Sequence, residues 1–196
     1  PITLAQEGFE NASYIFSLYA SPLANTNFYI NSTLATEGTK SIRMNYSGAA
    51  TGFSQMILTN PINLANAKSA TLTFDQIAAL EGNDFDYGSP IYSTDGVNFY
   101  LMPMSFYSGS ASTSTTSVQF DKNSYPAWSA MTSSSTPTNA MWKSETIDLS
   151  SLIGNSQVYV GFQMVHDDSV NYNGWSIDNV KVNVTPKVTW SPVAGL

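Results

Sequence analysis

The 196-residue chain contains no cysteine, which removes disulfides, thiolate metal sites and cysteine nucleophiles together. It has one histidine, His166, so a two-histidine metal site is impossible and a catalytic triad would have to use that ring. Charge is scarce as well. Only 11% of residues are charged, and the seven basic ones (Lys40, Arg43, Lys68, Lys122, Lys143, Lys181 and Lys187) are scattered and outnumbered two to one by acids, for a net charge of −7. Nucleic acid, whose phosphates call for clustered Lys and Arg, is excluded as a partner on this ground. An anionic membrane surface is disfavoured for the same reason. No apolar run is long enough for membrane insertion, and Pro1-Ile2-Thr3 does not open a signal peptide, so the chain is expected to be a mature or excised piece.

In place of charge stand Ser, Thr and Asn, about a third of the chain and well above ordinary globular usage. With 42% hydrophobic and 13% aromatic residues, the length suits one domain with a real core, ruling against disorder. A polar but nearly uncharged surface is the composition of a secreted or cell-surface module, one that relies on size or bound calcium where others use disulfides.

Helical periodicity is missing, whereas short alternating or β-branched runs recur between Gly, Pro, Asn and Asp, so the chain reads as all-β. Strands are expected at Ser41–Tyr46, Ser54–Leu58, Ala70–Ile77, Ile91–Ser93, Phe99–Met104, Ser117–Phe120, Trp142–Asp148, Gln157–Val165 and Trp175–Val184. In the eighth, Val158, Val160, Phe162 and Met164 share one face and Tyr159, Gly161, Gln163 and Val165 the other. Asp95-Gly96 supplies a tight hairpin turn. The Ser/Thr-rich stretches Phe106–Ser117 and Ser129–Asn139 read as long surface loops. Beyond Val184, Pro186 and Pro192 end strand character, which sets residues 1–184 as the domain and 185–196 as a linker or the start of a following module.

Two acidic segments draw the eye. Glu81-Gly-Asn-Asp84-Phe-Asp86 places oxygen-bearing side chains close together after a strand, without the spacing of an EF-hand. His166–Gly174 carries the one histidine beside Asp167 and Asp168, with Tyr172 and Trp175 as a stacking surface near those oxygen ligands. Among the aromatics, Phe53, Phe74, Phe99, Phe120 and Phe162 read as core. Tyr107, Tyr125, Trp128, Trp142, Tyr172 and Trp175 lie in or beside loops and are the candidates for ligand contact, Trp175 being also a core candidate.

Four signatures occur in a fixed order: Gly8-Phe-Glu-Asn11; Leu58-Thr-Asn-Pro-Ile-Asn-Leu64 with Ser69-Ala-Thr-Leu-Thr-Phe-Asp75; Ile91-Tyr-Ser-Thr-Asp-Gly-Val-Asn-Phe99; and Ile147-Asp-Leu-Ser-Ser-Leu-Ile-Gly154 leading through Val158-Tyr-Val-Gly-Phe162 to Gly174-Trp-Ser-Ile-Asp-Asn-Val-Lys-Val182. This ordered set resembles the bacterial cleaved-adhesin or choice-of-anchor J domains, relatives of the MAM domain, over nearly the whole chain. The resemblance implies an antiparallel jelly-roll β-sandwich of the galactose-binding/MAM-like kind. In a jelly roll the first and last strands are neighbours, so Glu10 and Asp178 are expected to meet at one edge, where two carboxylates call for a hard cation. The resemblance implies a structural Ca2+ in that region.

Catalysis finds little support. Fourteen acids always provide pairs such as Glu81 with Asp168 for glycoside hydrolysis, Arg43 is the one arginine available to a lyase, and Tyr107-Ser-Gly-Ser110 lacks the strand–turn–helix context of a serine hydrolase. The expectation is therefore a non-catalytic module with no enzyme activity, calcium-stabilised and monomeric. It would serve adhesion or substrate targeting by binding glycan or a glycosylated cell surface alongside other domains of the same polypeptide. The expected ligand residues are Tyr107, Trp128, Trp142, Asp168, Tyr172 and Trp175; the expected metal ligands are Glu10, Glu81, Asp84, Asp86 and Asp178. The alternative is a structural accessory domain of a secreted protease or glycosidase with no ligand of its own.

Overall fold

A computed structural model describes residues 1–21, 27–46 and 50–188. Eleven strands are formed among them: β1 (Ile2–Glu7), β2 (Phe16–Ala20), β3 (Tyr29–Asn31), β4 (Ser41–Met44), β5 (Gly52–Leu58), β6 (Ala67–Ala79), β7 (Tyr87–Ser93), β8 (Tyr100–Leu101), β9 (Lys143–Asp148), β10 (Tyr159–His166) and β11 (Gly174–Pro186). One sheet runs β3-β4-β11-β6-β9, with β1 also on β11; the other runs β2-β5-β10-β7-β8. Every pairing is antiparallel. The chain is thus an all-β sandwich, as its alternation predicted. No helix among the described residues is long and apolar enough to cross a membrane.

Period-2 patterning produces the two layers. In β10, Val160, Phe162 and Met164 are at most 1% exposed, while Tyr159, Gln163 and Val165 on the other face are half-buried. Phe74 from β6 meets Phe162 edge-on at 4.9 Å between ring centroids, and Trp175 from β11 meets Phe162 at 5.8 Å, so the aromatic core spans both sheets. Trp175 fits because its neighbour in the opposite sheet is Gly88: a Cβ there would lie 2.4 Å from the indole.

Along one edge of β11, β4 pairs with Trp175–Ile177 and β1 with Val180–Val184, while β6 follows nearly the whole other edge. The register shifts between Asp178 and Lys181, where Asn179 adopts φ 51°. That bulge locally bends the strand and aims Asp178 at the segment between β3 and β4.

Three strands, β1, β2 and β3, lie outside the expected set. β1 is an edge strand with Ile2 and Leu4 exposed, so it lacks the buried face that reveals a strand in sequence. The Ser117–Phe120 expectation reduces to isolated bridges, Pro103 with Ser117 and Gly88 with Phe120. The two Ser/Thr-rich stretches are not simple surface loops: Phe106, Tyr107 and Ala111 in the first and Met131 in the second are buried. At the carboxyl end β11 continues to Pro186, and residues 189–196 of the expected linker lie outside the described residues.

Candidate functional site

Alternation leaves the second sheet with an outward face whose side chains come from odd positions: Ser17 and Tyr19 on β2, Phe53, Gln55 and Ile57 on β5, Tyr159 and Gln163 on β10. Of these, Ser17, Tyr19, Gln55, Ile57 and Tyr159 join Val97 and Phe99 from the β7–β8 hairpin in lining a groove of about 530 Å³ across the sheet, a size suited to a small ligand; Phe53 and Gln163 stand behind the lining. Tyr19 is 56% exposed and stacks on Phe53 at 6.3 Å; at the other wall Phe99 meets Tyr159 edge-on at 6.4 Å. Gln55 Nε2 donates to Gln163 Oε1 at 2.6 Å, which fixes an amide pair beside the floor. Gly161 stands between Tyr159 and Gln163 without a side chain, because a Cβ there would come within 2.3 Å of the Met56 carbonyl oxygen. The hairpin wall is held by Asp95, whose carboxylate accepts hydrogen bonds from Val97 N, Asn98 N and Asn98 Nδ2; these bonds, with one from Ser93 Oγ, hold its pKa far below the usual carboxylate range. Among the described residues no Asp, Glu, Lys, Arg or His lines the groove. Its chemistry is therefore aromatic and aliphatic faces plus neutral amide and hydroxyl groups, which can meet a neutral polyhydroxylated ligand.

The groove was not among the expected ligand residues, and those residues do not gather elsewhere. Trp128 and Trp175 are fully buried. Trp128 Nε1 donates to the Met141 carbonyl and Trp175 Nε1 to Gln76 Oε1, so both belong to the core and cannot present a stacking face. Tyr107 is buried with its hydroxyl donating to Glu145 Oε2 at 2.7 Å. Trp142 is half-buried against Asn139, Asp168 is exposed, and the Tyr172 hydroxyl accepts from Lys122 Nζ. Phe74, Phe120 and Phe162 are core as expected, but Phe53 and Phe99 are half-buried on the outer face. A period-2 reading could have found the groove, since the outward positions of three strands carry aromatic and amide groups in place of charge.

The five expected metal ligands fall into three places. Glu10 and Asp178 do converge on one segment, from opposite sides. Glu10 accepts from Thr39 N, Thr39 Oγ1 and Lys40 N, and Asp178 Oδ2 accepts from Thr36 N, Thr36 Oγ1 and Glu37 N. The backbone bonds from Thr39 and then Lys40 lower the Glu10 pKa. N–H and O–H donors thus already meet both carboxylates, while Glu10 Oε2 and Asp178 Oδ1 each accept a single donor, and burial still raises the Asp178 pKa. Asp84 is carried away by successive left-handed residues Asn83 and Asp84 (φ 59° and 66°) into a polar recess with Asp121 and Asn123.

Glu81 and Asp86 remain together, joined by Asp167 from the segment after β10, each offering an oxygen within 4.8 Å of the others. Burial, followed by the charges of Asp167 and Glu81, pushes the Asp86 pKa up to about 7 despite the hydrogen bond from Asp167 N. Glu81 Oε2 is buried and has no hydrogen-bond partner. Crowded carboxylates with an orphaned oxygen fit a hard oxygen-seeking cation such as Ca2+. His166, adjacent in sequence, instead faces the core: it is fully buried and its ring stacks on Tyr46 at 3.8 Å, and burial lowers its pKa.

No family model and no curated protein matches the sequence. Solved structures do match. The K2 cleaved adhesin domain of Lys-gingipain superposes with a TM-score of 0.55 at 16% identity, over 91% of this chain and 97% of that one. The fold is that of the cleaved-adhesin sandwich. The K3 cleaved adhesin domain of Lys-gingipain from Porphyromonas gingivalis scores 0.55 at 13% identity, over 93% and 99%. The CBM22-1 xylan-binding domain of Paenibacillus barcinonensis Xyn10C scores 0.54 at 9% identity, over 95% and 97%. At these identities the likeness is one of architecture, and the resemblance read from the ordered motifs holds at that level.

Proposed function

We propose that this chain is a non-catalytic extracellular module that holds a neutral glycan across the outer face of its five-stranded sheet. The carrying observation is the groove itself: aromatic walls at Tyr19 and Tyr159–Phe99, the Gln55 amide held by Gln163 behind it, and no ionised side chain among the described residues of the lining. Sugar rings present C–H faces to aromatic rings and hydroxyls to amides, so one groove serves both. The shared architecture with a xylan-binding domain and with adhesin domains supports the reading. Calcium at Glu81, Asp86 and Asp167 completes it as a structural element, tying the β6–β7 connection to the end of β10.

A glycan array probed with the isolated protein, with and without calcium, tests the binding. Retention of neutral polysaccharides, weakened roughly 5- to 30-fold by Tyr19→Ala or Tyr159→Ala, is the expected result, from about 1–2 kcal/mol of lost stacking and area per ring. Silence across diverse neutral glycans would instead favour a structural accessory domain without a ligand.

A further inference from the structure

A second pocket, of about 480 Å³, opens on the β9 edge of the six-stranded sheet, remote in lining from the groove. Its floor is Glu145, which alternation turns inward beside Ile147 and leaves 4% exposed. Three neutral donors hold the carboxylate: Gln76 Nε2 and the Tyr125 hydroxyl on Oε1 at 2.9 and 2.7 Å, and the Tyr107 hydroxyl on Oε2 at 2.7 Å. Gln76 is fixed in turn by Trp175 Nε1 at 2.7 Å. Burial, followed by the bond to Glu145, pushes both tyrosine pKa values up, which keeps their protons on the phenols.

Two features set this apart from a closed structural network. First, no ion pair to Glu145 is formed among the described residues; the adjacent cation, Lys143, stands over the Tyr125 ring at 5.6 Å from its centroid. Burying a carboxylate without a counter-charge is costly, and the deficit remains for a ligand to fill. Second, both phenols spend their protons on Glu145 and turn only lone pairs towards anything else, while Oε2 takes one donor and keeps room for another. The floor is thus acceptor-only and negative, under a rim that includes Ser108, Ser110 and Ser124, whereas the Ser144 hydroxyl is spent on Asp75.

We infer that this pocket is a second ligand site and that it takes a protonated amino sugar. The ammonium group would donate to Glu145 Oε2 with the tyrosine rings as cation-stabilising walls, and the serine rim would meet the ring hydroxyls. The inference is independent of the groove and of what the groove binds.

Calorimetric titration of the whole chain with glucosamine, glucose, N-acetylglucosamine and Nα-acetyl-lysine amide tests it. Expected are saturable binding of glucosamine, at least tenfold weaker or absent binding of the two uncharged sugars, and loss of the glucosamine signal as pH rises through the sugar's own amine pKa. Glu145→Gln and Ser110→Trp should each weaken binding tenfold or more; the second obstructs the rim and leaves the buried network alone, so it decides the matter even where Glu145→Gln unfolds the protein. No glucosamine binding by the folded protein, equal binding of glucose, preference for the lysine derivative, or affinity unchanged in Ser110→Trp would overturn the assignment.

Discussion

Gly88→Ala tests the packing that joins the two sheets. The new Cβ would lie 2.4 Å from Trp175 Cδ2 and 2.6 Å from Cε2 and Cε3, against an ordinary contact distance of 3.4–4 Å. The indole must therefore retreat by about 1 Å in a core of interior packing density. It has little room: Phe162 and Phe28 stand 5.8 and 6.5 Å away between centroids, and the ring is fully buried. Overpacking of this kind costs about 1–3 kcal/mol. Moving the ring also stretches the 2.7 Å bond from Nε1 to Gln76, adding about 1 kcal/mol. The sum, about 2–4 kcal/mol, lowers the melting midpoint of a chain this size by roughly 5–15 °C. Urea and thermal unfolding measure it, with Gly8→Ala as the control, since nothing lies within 4 Å of a Cβ there. In a Trp175→Ala background, where the clashing indole is gone altogether, the Gly88→Ala cost should fall by more than half. A Gly88→Ala protein as stable as the parent, or an equal cost in both backgrounds, would refute the placement of Trp175 between the sheets.

Calcium at 100 times its dissociation constant should stabilise the protein by about 2.7 kcal/mol by mass action, and Glu81→Gln should abolish the increment; an EDTA-insensitive midpoint would count against the site. Without calcium, Asp86 binds its proton more tightly folded (pKa about 7) than at its ordinary value of 3.8. Its contribution is therefore fully present below about pH 4 and is lost as pH rises towards 7; Asp86→Asn should flatten that slope in urea titrations at several pH values. Asp95→Ala removes the acceptor that organises the hairpin bearing Val97 and Phe99, so affinity electrophoresis should show severalfold weaker glycan retention although Asp95 does not line the groove.

The legible parts of this molecule are those where side-chain period and burial coincide. β10 and β11 were readable because bulky apolar residues recur at every second position, Val160, Phe162 and Met164 in β10 and Val180, Val182 and Val184 in β11, and are buried there. β1, β2 and β3 were not, since β1 is held by β11 along one edge with its first residues exposed, and β3 is only three residues long. Loop position proved a poor guide to exposure: Trp128 lies in a Ser-rich stretch, yet its Nε1 finds a carbonyl at Met141 and its ring meets Tyr125 at 4.7 Å, so burial is possible without an unsatisfied donor.

Composition and alternation alone determined an all-β, cysteine-free chain with few charged residues, because those properties depend on local residue choice. Tertiary structure decided which carboxylates meet and where a ligand fits. Glu81 and Asp86 find Asp167 some eighty residues later, Glu10 and Asp178 find backbone donors on one shared segment, and the groove collects Tyr19, Gln55 and Tyr159 from three strands and Phe99 from a hairpin loop. Strand order makes these juxtapositions, and no spacing along the chain encodes strand order.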